Sequence, residues 1–240
     1  MARKSKKSKR PPPSAARRAL RRIGRWTLRV GIFGFAFCIF WVLAFRIFNP
    51  PTTFYMASEA RRLGGVERQW VSMDNIAPDM ARSAVAAEDA NFCLHWGFDV
   101  TAIRQAIEDG GTRGASTISQ QVVKNVYLWH GRSWVRKALE TGLTLLVETA
   151  WSKKRILEVY LNVAEFDEGI FGVEAAAQAA FGVAAADLSP VQAARLAAVL
   201  PNPKERSARE PTARLRKRAA AIADGAATIR KDARGACFES

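Results

Sequence analysis

Two short segments carry the residue types that acid–base chemistry on a phosphorylated sugar would need. In the first, Glu88 and Asp89 stand side by side at the end of a small-residue helix that we expect over Met80–Ala87. A helix-end acid among apolar neighbours has a raised pKa and can accept a proton. In the second, four polar residues recur at helical spacing and share one face: Thr117, Gln120, Gln121 and Lys124. An acid facing such donors suits chemistry on a sugar that carries phosphate.

Apolar residues define the elements that must position these groups. The second segment has an opposite, apolar face that can be buried while the polar face lines a cleft; it consists of Ile118, Val122, Val126 and Trp129. Further along the chain, a basic residue and two acids repeat every four positions on one helical face, at Arg136, Glu140, Thr144 and Glu148.

Several of these residues also have ordinary explanations, which the spacing alone leaves open. Glu88 could be a solvated acid, and Lys124 a surface lysine. Arg136 and Glu140 have the spacing of a common helical ion pair. His95 is better explained as a hydrogen-bonding structural residue than as a catalyst. The chain has two His and three Cys without metal-site spacing, and no Gly-rich nucleotide loop, so neither a metal site nor a nucleotide-sugar donor is predicted.

The net charge of +15 is concentrated at the N-terminus. Residues 1–29 hold twelve of the 37 Lys and Arg residues and no acid, so the remaining basic residues nearly balance the 22 acids. The basicity therefore belongs to a tail and does not indicate a nucleic-acid-binding face.

An uncharged segment follows the basic tail, from Val30 to Phe45. Flanking apolar residues extend it to about twenty residues, enough for a bilayer core. A buried core helix would need an amphipathic face, which is missing here, and a cleaved signal peptide would need a small-residue cleavage site, which is not convincing. We expect a transmembrane helix over residues 30–48, with the basic tail in the cytoplasm.

The remaining chain is predicted to be mainly helical, with no strands. We expect a juxtamembrane connector over residues 49–75, a catalytic domain over 76–205 and a C-terminal helix with a loose end over 206–240. Gln105–Arg113 is predicted to be a polar loop that acts as a lid. Helix boundaries are indicated by Ser152, by Gly182 after an alanine-rich run, and by a capping box at Ser189.

The three cysteines do not form a disulfide framework. Cys38 lies in the apolar segment, Cys93 among the apolar residues of the first motif and Cys237 near the C-terminus. A bridge between Cys93 and Cys237 is compatible with an oxidising compartment, but nothing in the sequence requires it.

In combination, these segments resemble the family 51 glycosyltransferases, the peptidoglycan polymerases. The first signature is carried by Glu88-Asp89-x-x-Phe92-x-x-His95-x-Gly97-x-Asp99. The counterpart of the second signature is Gly114-x-Ser116-Thr117-Ile118-x-Gln120-Gln121-x-x-Lys124-Asn125. The counterpart of the third is Arg136-Lys137-x-x-Glu140 with the following Ser152-Lys153 and Ile156–Asn162. Gly169–Gly182 and Ala193–Pro203 are similar to the last two. The similarity runs in the expected order from about Trp70 to Pro203, and no transpeptidase domain follows, as in the monofunctional branch of the family.

The resemblance implies a mainly α, lysozyme-like glycosyltransferase domain with two lobes around a groove beside the membrane. It implies that a growing glycan on polyprenyl pyrophosphate is transferred, with inversion, to lipid II. Glu88 would be the general base and Glu140 would orient donor-side groups. The implied pyrophosphate and substrate contacts are Lys124, Arg136, Lys137, Gln120, Gln121, Ser116 and Thr117, and the supporting residues are Asp89, Phe92, His95 and Asn125.

The resemblance also implies partners and a location. No cofactor is required, although a divalent cation at the pyrophosphate is compatible with the chemistry. The partners would be lipid II, the lipid-linked nascent glycan, the membrane and other cell-wall synthesis proteins, with the catalytic domain on the periplasmic side of the inner membrane. Two departures from the family pattern, Asp167 and Ala180, affect groove shape more than chemistry. A lytic, wall-cleaving enzyme and a non-catalytic membrane scaffold remain alternatives.

Overall fold

The computed structural model describes residues 15–110, 116–131 and 133–239. The chain divides into two compact units, of which the first ends at Ala44 and the second begins at Phe45. Gly114 of the second sequence motif lies outside the described residues.

The first unit is dominated by helix α1, Ala15–Ile47. Its segment Ala19–Ile47 is long and apolar enough to cross a membrane, with 29 residues and a mean hydropathy of 2.2. Only 6% of this apolar window is buried within the protein. The predicted span of residues 30–48 coincides with the C-terminal part of this helix, and the length and composition are consistent with a membrane anchor.

The second unit is also mainly helical. Its helices are α2 (Phe54–Leu63), α3 (Pro78–Glu88), α4 (Val100–Glu108), α5 (Ile118–Tyr127), α6 (Trp134–Ala150), α7 (Lys153–Val163), α8 (Val173–Phe181), α9 (Pro190–Val199), α10 (Ala213–Lys231) and α11 (Ala236–Glu239). Two groups of helices form most of its core. Helices α3, α9 and α10 pack on one another, while α5 packs between α6 and α7.

The predicted helix signals function as caps. Ser189 and Gln192 form a reciprocal capping box at the start of α9, and the Ser152 side chain accepts a hydrogen bond from the backbone N–H of Arg155. Gly182 ends α8 with a φ of 68°, a left-handed conformation that favours glycine. These boundaries were predictable because each depends on residues adjacent in sequence.

A small sheet was missed by the sequence analysis. Strands β1 (Glu67–Arg68), β2 (Glu165–Asp167) and β3 (Ile170–Phe171) form three strands in the order β1-β3-β2. β1 pairs parallel to β3, and β2 pairs antiparallel to β3. Strands of two or three residues are too short to produce an alternating pattern, so periodicity could not reveal them.

Three further expectations were wrong. Gln105–Glu108 is the last turn of α4 rather than part of a loop, because the Asp99 side chain caps the helix at Ala102 N–H, 2.9 Å away. The C-terminal end is not loose, since Phe238 is fully buried. Trp129 is 46% exposed and lies beyond the end of α5, so it does not belong to the buried helix face that we expected.

Candidate functional site

The acid at the end of α3 meets the polar face of α5. Glu88 is the last residue of α3, and the Gln121 Nε2 atom donates a hydrogen bond to its Oε2 at 3.0 Å. The Glu88 side chain is only 13% exposed. Burial raises the pKa of Glu88, although the Gln121 hydrogen bond and nearby cations including Arg218 and Lys124 partly lower it. A buried carboxylate with a raised pKa is a candidate proton acceptor.

A cluster of cations lies beyond Gln121. The Glu140 carboxylate accepts from Arg136 Nη1 at 2.6 Å and from Lys137 Nζ at 2.5 Å. Lys124, one turn of α5 after Gln121, lines the same cavity of about 170 Å³. Burial lowers the pKa of Lys124, while the Glu140 charge raises it in part. With three cationic residues in its wall, the cavity is suited to binding an anion. It is lined by Ser116, Gln120, Gln121, Lys124, Arg136, Lys137 and Glu140.

The polar residues of α5 have two roles: some cap the helix, and some line the cavity. Thr117 is buried, and its hydroxyl donates to the Gly97 carbonyl at 2.7 Å instead of pointing into the cleft. Thr117 and Gln120 form a capping box, in which the Gln120 Oε1 atom accepts from the Thr117 backbone N–H. The expectation that the Thr117 hydroxyl faces substrate was thus wrong, because an N-terminal helix turn has backbone N–H groups that need acceptors. Gln120 also lines the cation cavity, together with Gln121 and Lys124.

The supporting residues fix the loop between α3 and α4 against α5. One carboxylate oxygen of Asp89 contacts His95 Nε2 at 2.8 Å, and the other accepts from the backbone N–H of Ile118 at 3.0 Å. Phe92 is fully buried, with Lys153 Nζ 4.4 Å from its ring centroid. Asp89 therefore joins the loop and α5 through a single carboxylate.

A second cleft adjoins the cation cavity through Gln121 and Lys124. It has a volume of about 310 Å³, and Asn125 lies in its wall. Tyr55 on α2 donates to Glu165 Oε2 at 2.5 Å there, and Lys204 reaches the same cleft. Sequence reasoning missed Tyr55, Glu165 and Lys204 as cleft residues, because they come from three distant segments and form no local motif.

Arg218 is another residue near Glu88 that the sequence analysis did not select. It lies on α10, and its Nη2 atom is 3.9 Å from Glu88 Oε1. The basic run at the start of α10 was visible in the sequence, but only the packing of α10 on α3 brings one of its members to Glu88.

Comparison with known proteins identifies the family of this chain. A family model described as Transglycosylase matches residues 57–227, a range that contains every site residue predicted from the sequence. The chain belongs to the transglycosylase family. It is therefore a glycosyltransferase enzyme, as the sequence analysis predicted.

Relatives of this transglycosylase match over most of their length. A protein of Jannaschia sp. (strain CCS1) named biosynthetic peptidoglycan transglycosylase is 59% identical over 239 residues, covering 99% of both chains. Proteins of the same name from Xanthomonas campestris pv. campestris (strain B100) and Salmonella typhi are 48% and 50% identical, covering 88% and 78% of this chain and 89% and 84% of their own lengths.

The two departures from the expected motifs of this transglycosylase lie in one place. Asp167 and Ala180 both line a cavity of about 180 Å³, together with Phe166, Ile170 and Leu196. The Asp167 Oδ1 atom accepts from the backbone N–H of Glu168 at 2.8 Å. This cavity is lined by none of Lys124, Arg136 and Lys137. The two departures therefore lie away from the cation cluster.

Proposed function

We propose that this transglycosylase polymerises lipid II into glycan strands and releases polyprenyl pyrophosphate. One observation carries the proposal. A buried carboxylate, Glu88, is hydrogen-bonded to Gln121, one helical turn before Lys124, and Arg136 and Lys137 follow in the same cavity. In this proposal Glu88 lies on the acceptor side of the reacting bond, and the cations lie on the side of the leaving group.

Glu88 acts as the general base in this proposal. Its carboxylate takes the proton from the acceptor sugar hydroxyl, and the resulting oxygen attacks the anomeric carbon of the donor. A new carbon–oxygen bond forms as the bond between the anomeric carbon and the pyrophosphate oxygen breaks, so the configuration at the anomeric carbon inverts. The pyrophosphate leaves with the electron pair.

The cation cluster stabilises the departing pyrophosphate. Lys124, Arg136 and Lys137 supply ammonium and guanidinium donors where negative charge develops. Glu140 contacts Arg136 and Lys137 at once and so fixes their positions. A divalent cation at the pyrophosphate is compatible with this arrangement but is not required by it, because the protein supplies three positive charges.

The surroundings of the cluster favour a lipid-linked substrate. Large apolar side chains flank Arg136 and Lys137 on α6, with Trp134 91% exposed and Val135 66% exposed. The chain also carries a helix that can anchor it to a membrane. The relatives are named as biosynthetic enzymes of peptidoglycan, whose polyprenyl-linked precursors combine a sugar, a pyrophosphate and a lipid.

The arrangement favours transfer over hydrolytic or lytic cleavage. Cleavage of an ordinary glycosidic bond needs a general acid beside the leaving oxygen. Glu140, the acid that lines the cation cavity, already accepts from two cations and is not available as a proton donor in this proposal. Incubating the protein with preformed glycan strands, and separately with lipid II, distinguishes the two. We expect no shortening of the strands, and new glycosidic bonds from lipid II whose anomeric configuration, measured by NMR, is opposite to that of the donor. Shortened strands would establish the lytic alternative.

Arg218→Ala is expected to move the acidic limb of the pH profile to higher pH. The Arg218 charge lowers the pKa of Glu88, so its removal raises that pKa, and a higher pH is then needed to deprotonate the base. The measurement is kcat/KM for lipid II as a function of pH. Arg216→Ala is the matched control on the same helix, because Arg216 donates to the Pro211 carbonyl and is exposed. An Arg218→Ala limb at the parental pH or below would refute the coupling.

A reporter fused after Ser240 is expected to show that the catalytic unit lies outside the cytoplasm. The basic residues before Val30 favour a cytoplasmic N-terminus. The bridge between Cys93 and Cys237 supports the same orientation, since disulfides persist in oxidising compartments such as the periplasm. Activity of a reporter that functions only in the cytoplasm would reverse this assignment.

Asp167→Gly is expected to change product length more than initial rate. Asp167 is exposed, and its carboxylate makes a local hydrogen bond in the turn after β2, away from Glu88 and the cation cluster. Initial rates and gel-resolved product lengths from lipid II measure the two effects. A large loss of initial rate in a folded variant would give Asp167 a catalytic role.

A further inference from the structure

The C-terminal segment folds back onto the loop that follows Glu88. After α10 the chain reverses at Ala233, which has a φ of 53° and is the one non-glycine residue with positive φ among the described residues. Cys237 then forms a disulfide with Cys93. Glu239 accepts from Arg82 Nε of α3 at 2.6 Å. The segment is thus attached to both the loop and the helix that carries Glu88.

Aromatic packing reinforces the covalent attachment. Phe238 is fully buried, and its ring centroid is 6.3 Å from that of Phe92, which is also fully buried. Phe92 and Cys93 are adjacent in the loop, so the C-terminal segment holds two consecutive loop residues. We call residues 233–239 the C-terminal clasp.

The loop that the clasp holds also contacts the start of α5, so the position of the loop affects the position of that helix. Residues 89–97 contain turns but no helix or strand, so contacts with other segments fix their position. Asp89, at one end, accepts from the Ile118 backbone N–H of α5. Gly97, at the other end, accepts from Thr117 through its carbonyl. Helix α5 carries Gln121 and Lys124, so a shift of the loop changes the distance between Glu88 and its partners.

The space around the loop leaves little room for adjustment. A Cβ atom on Gly97 would lie 2.6 Å from Thr144 Cγ2, and the φ of Gly97 is +80°. Lys153 Nζ donates to the His95 carbonyl at 2.8 Å from the α7 side. The loop is therefore packed closely against α6 and α7 on one side, while the clasp holds Cys93 on another.

We propose that the disulfide-locked C-terminal clasp is a positioning device for the glycosyl transfer, holding the Glu88 loop in register with α5. The proposal rests on the function proposed for Glu88. Because Cys93 and Cys237 are both partly exposed, a reductant can reach the bridge, and turnover then depends on the redox state of the chain. The clasp acts through Asp89 and α5 and contacts no reacting atom.

Two measurements on the full-length protein in detergent micelles test the role of the clasp: amide hydrogen exchange and steady-state kinetics with lipid II. The oxidised chain, the chain reduced with a phosphine and the Cys93→Ala/Cys237→Ala variant are compared. We expect the amide exchange of the peptide that contains Ile118 to increase about tenfold without the bridge, since its N–H loses the fixed Asp89 acceptor. We expect kcat for lipid II to fall at least about tenfold with KM within about twofold, since small misplacements at a reacting centre have large rate effects.

Controls separate positioning from general stability. Cys38→Ala removes the cysteine that takes no part in the bridge and should leave both readouts and their response to reductant unchanged. Phe238→Ala keeps the bridge but removes the packing, and should change both readouts in the same direction by a smaller factor. If the double variant loses its helical circular dichroism, the reduced parent chain and Phe238→Ala decide the question.

Two results would overturn the clasp. The first is unchanged exchange and unchanged kcat after reduction. The second is faster exchange spread equally over α3, α5 and α7, which would identify the bridge as a general staple. Because exchange needs no substrate, it tests the clasp even if the oxidised parent chain forms no glycan, a result that would refute the proposed function instead.

Discussion

Glu88→Gln is expected to reduce lipid II polymerisation by about a hundredfold or more, because an amide cannot take the proton that a general base must accept. The substitution keeps the size of the side chain and can keep a hydrogen bond with Gln121, which is 3.0 Å away in the parent chain. Helix α3 should therefore remain intact. Lipid II binding should be largely unchanged, since it depends on the cation cluster and on lipid contacts. Initial rates of glycan formation and a separate binding isotherm measure the two effects.

Glu108→Gln is the matched control for this experiment. Glu108 is also the last residue of its helix, α4, but its side chain is exposed. The control should polymerise at the parental rate. A folded Glu88→Gln protein with near-parental activity would remove Glu88 from the mechanism and move the search for the base to Asp89 or Glu140.

Lys124→Ala and Arg136→Ala are each expected to cost about 3 kcal/mol of transition-state stabilisation, roughly a hundredfold in rate. Both residues lie on helices, where alanine is a good helix former, so the fold should persist. Arg136→Lys should recover activity only in part. The Arg136 guanidinium reaches Glu140 with one nitrogen and the Gly131 carbonyl with another at 2.8 Å, and an ammonium cannot reproduce that fork.

A lysine outside the cleft provides the comparison for the cation variants. Lys217 on α10 is exposed, and Lys217→Ala should leave the rate unchanged. Circular dichroism and steady-state rates on lipid II are the measurements. Full activity of either the Lys124→Ala or the Arg136→Ala protein would contradict their assignment to the pyrophosphate.

Local sequence signals predicted several helix ends of the second unit. Ser189, Ser152 and Gly182 fix helix ends through hydrogen bonds or backbone conformations of neighbouring residues. The same local logic explains one error. Thr117 was assigned to the cleft from its helical spacing alone. A threonine just before the first turn can instead be the N-cap residue, whose side chain accepts a hydrogen bond from the helix backbone.

Features that depend on tertiary packing were not predictable from local spacing. Arg218 reaches Glu88 only because α10 packs on α3, and the Tyr55 hydroxyl reaches Glu165 across 110 residues of sequence. The pairing of Cys93 with Cys237 spans 144 residues, and the sequence allowed it without requiring it. Glu88 and the cations Lys124, Arg136 and Lys137 were predictable because each lies in a short motif.

Sizing the products made from labelled lipid II tests the central claim most directly. The full-length chain is incubated with lipid II in detergent or vesicles, and the products are separated by length before and after digestion with a muramidase. The proposed function predicts a ladder of elongated glycan that the muramidase collapses to short fragments, and no ladder with Glu88→Gln. A folded parent chain that leaves lipid II unchanged, or a Glu88→Gln protein that makes the same ladder at the same rate, would contradict the account.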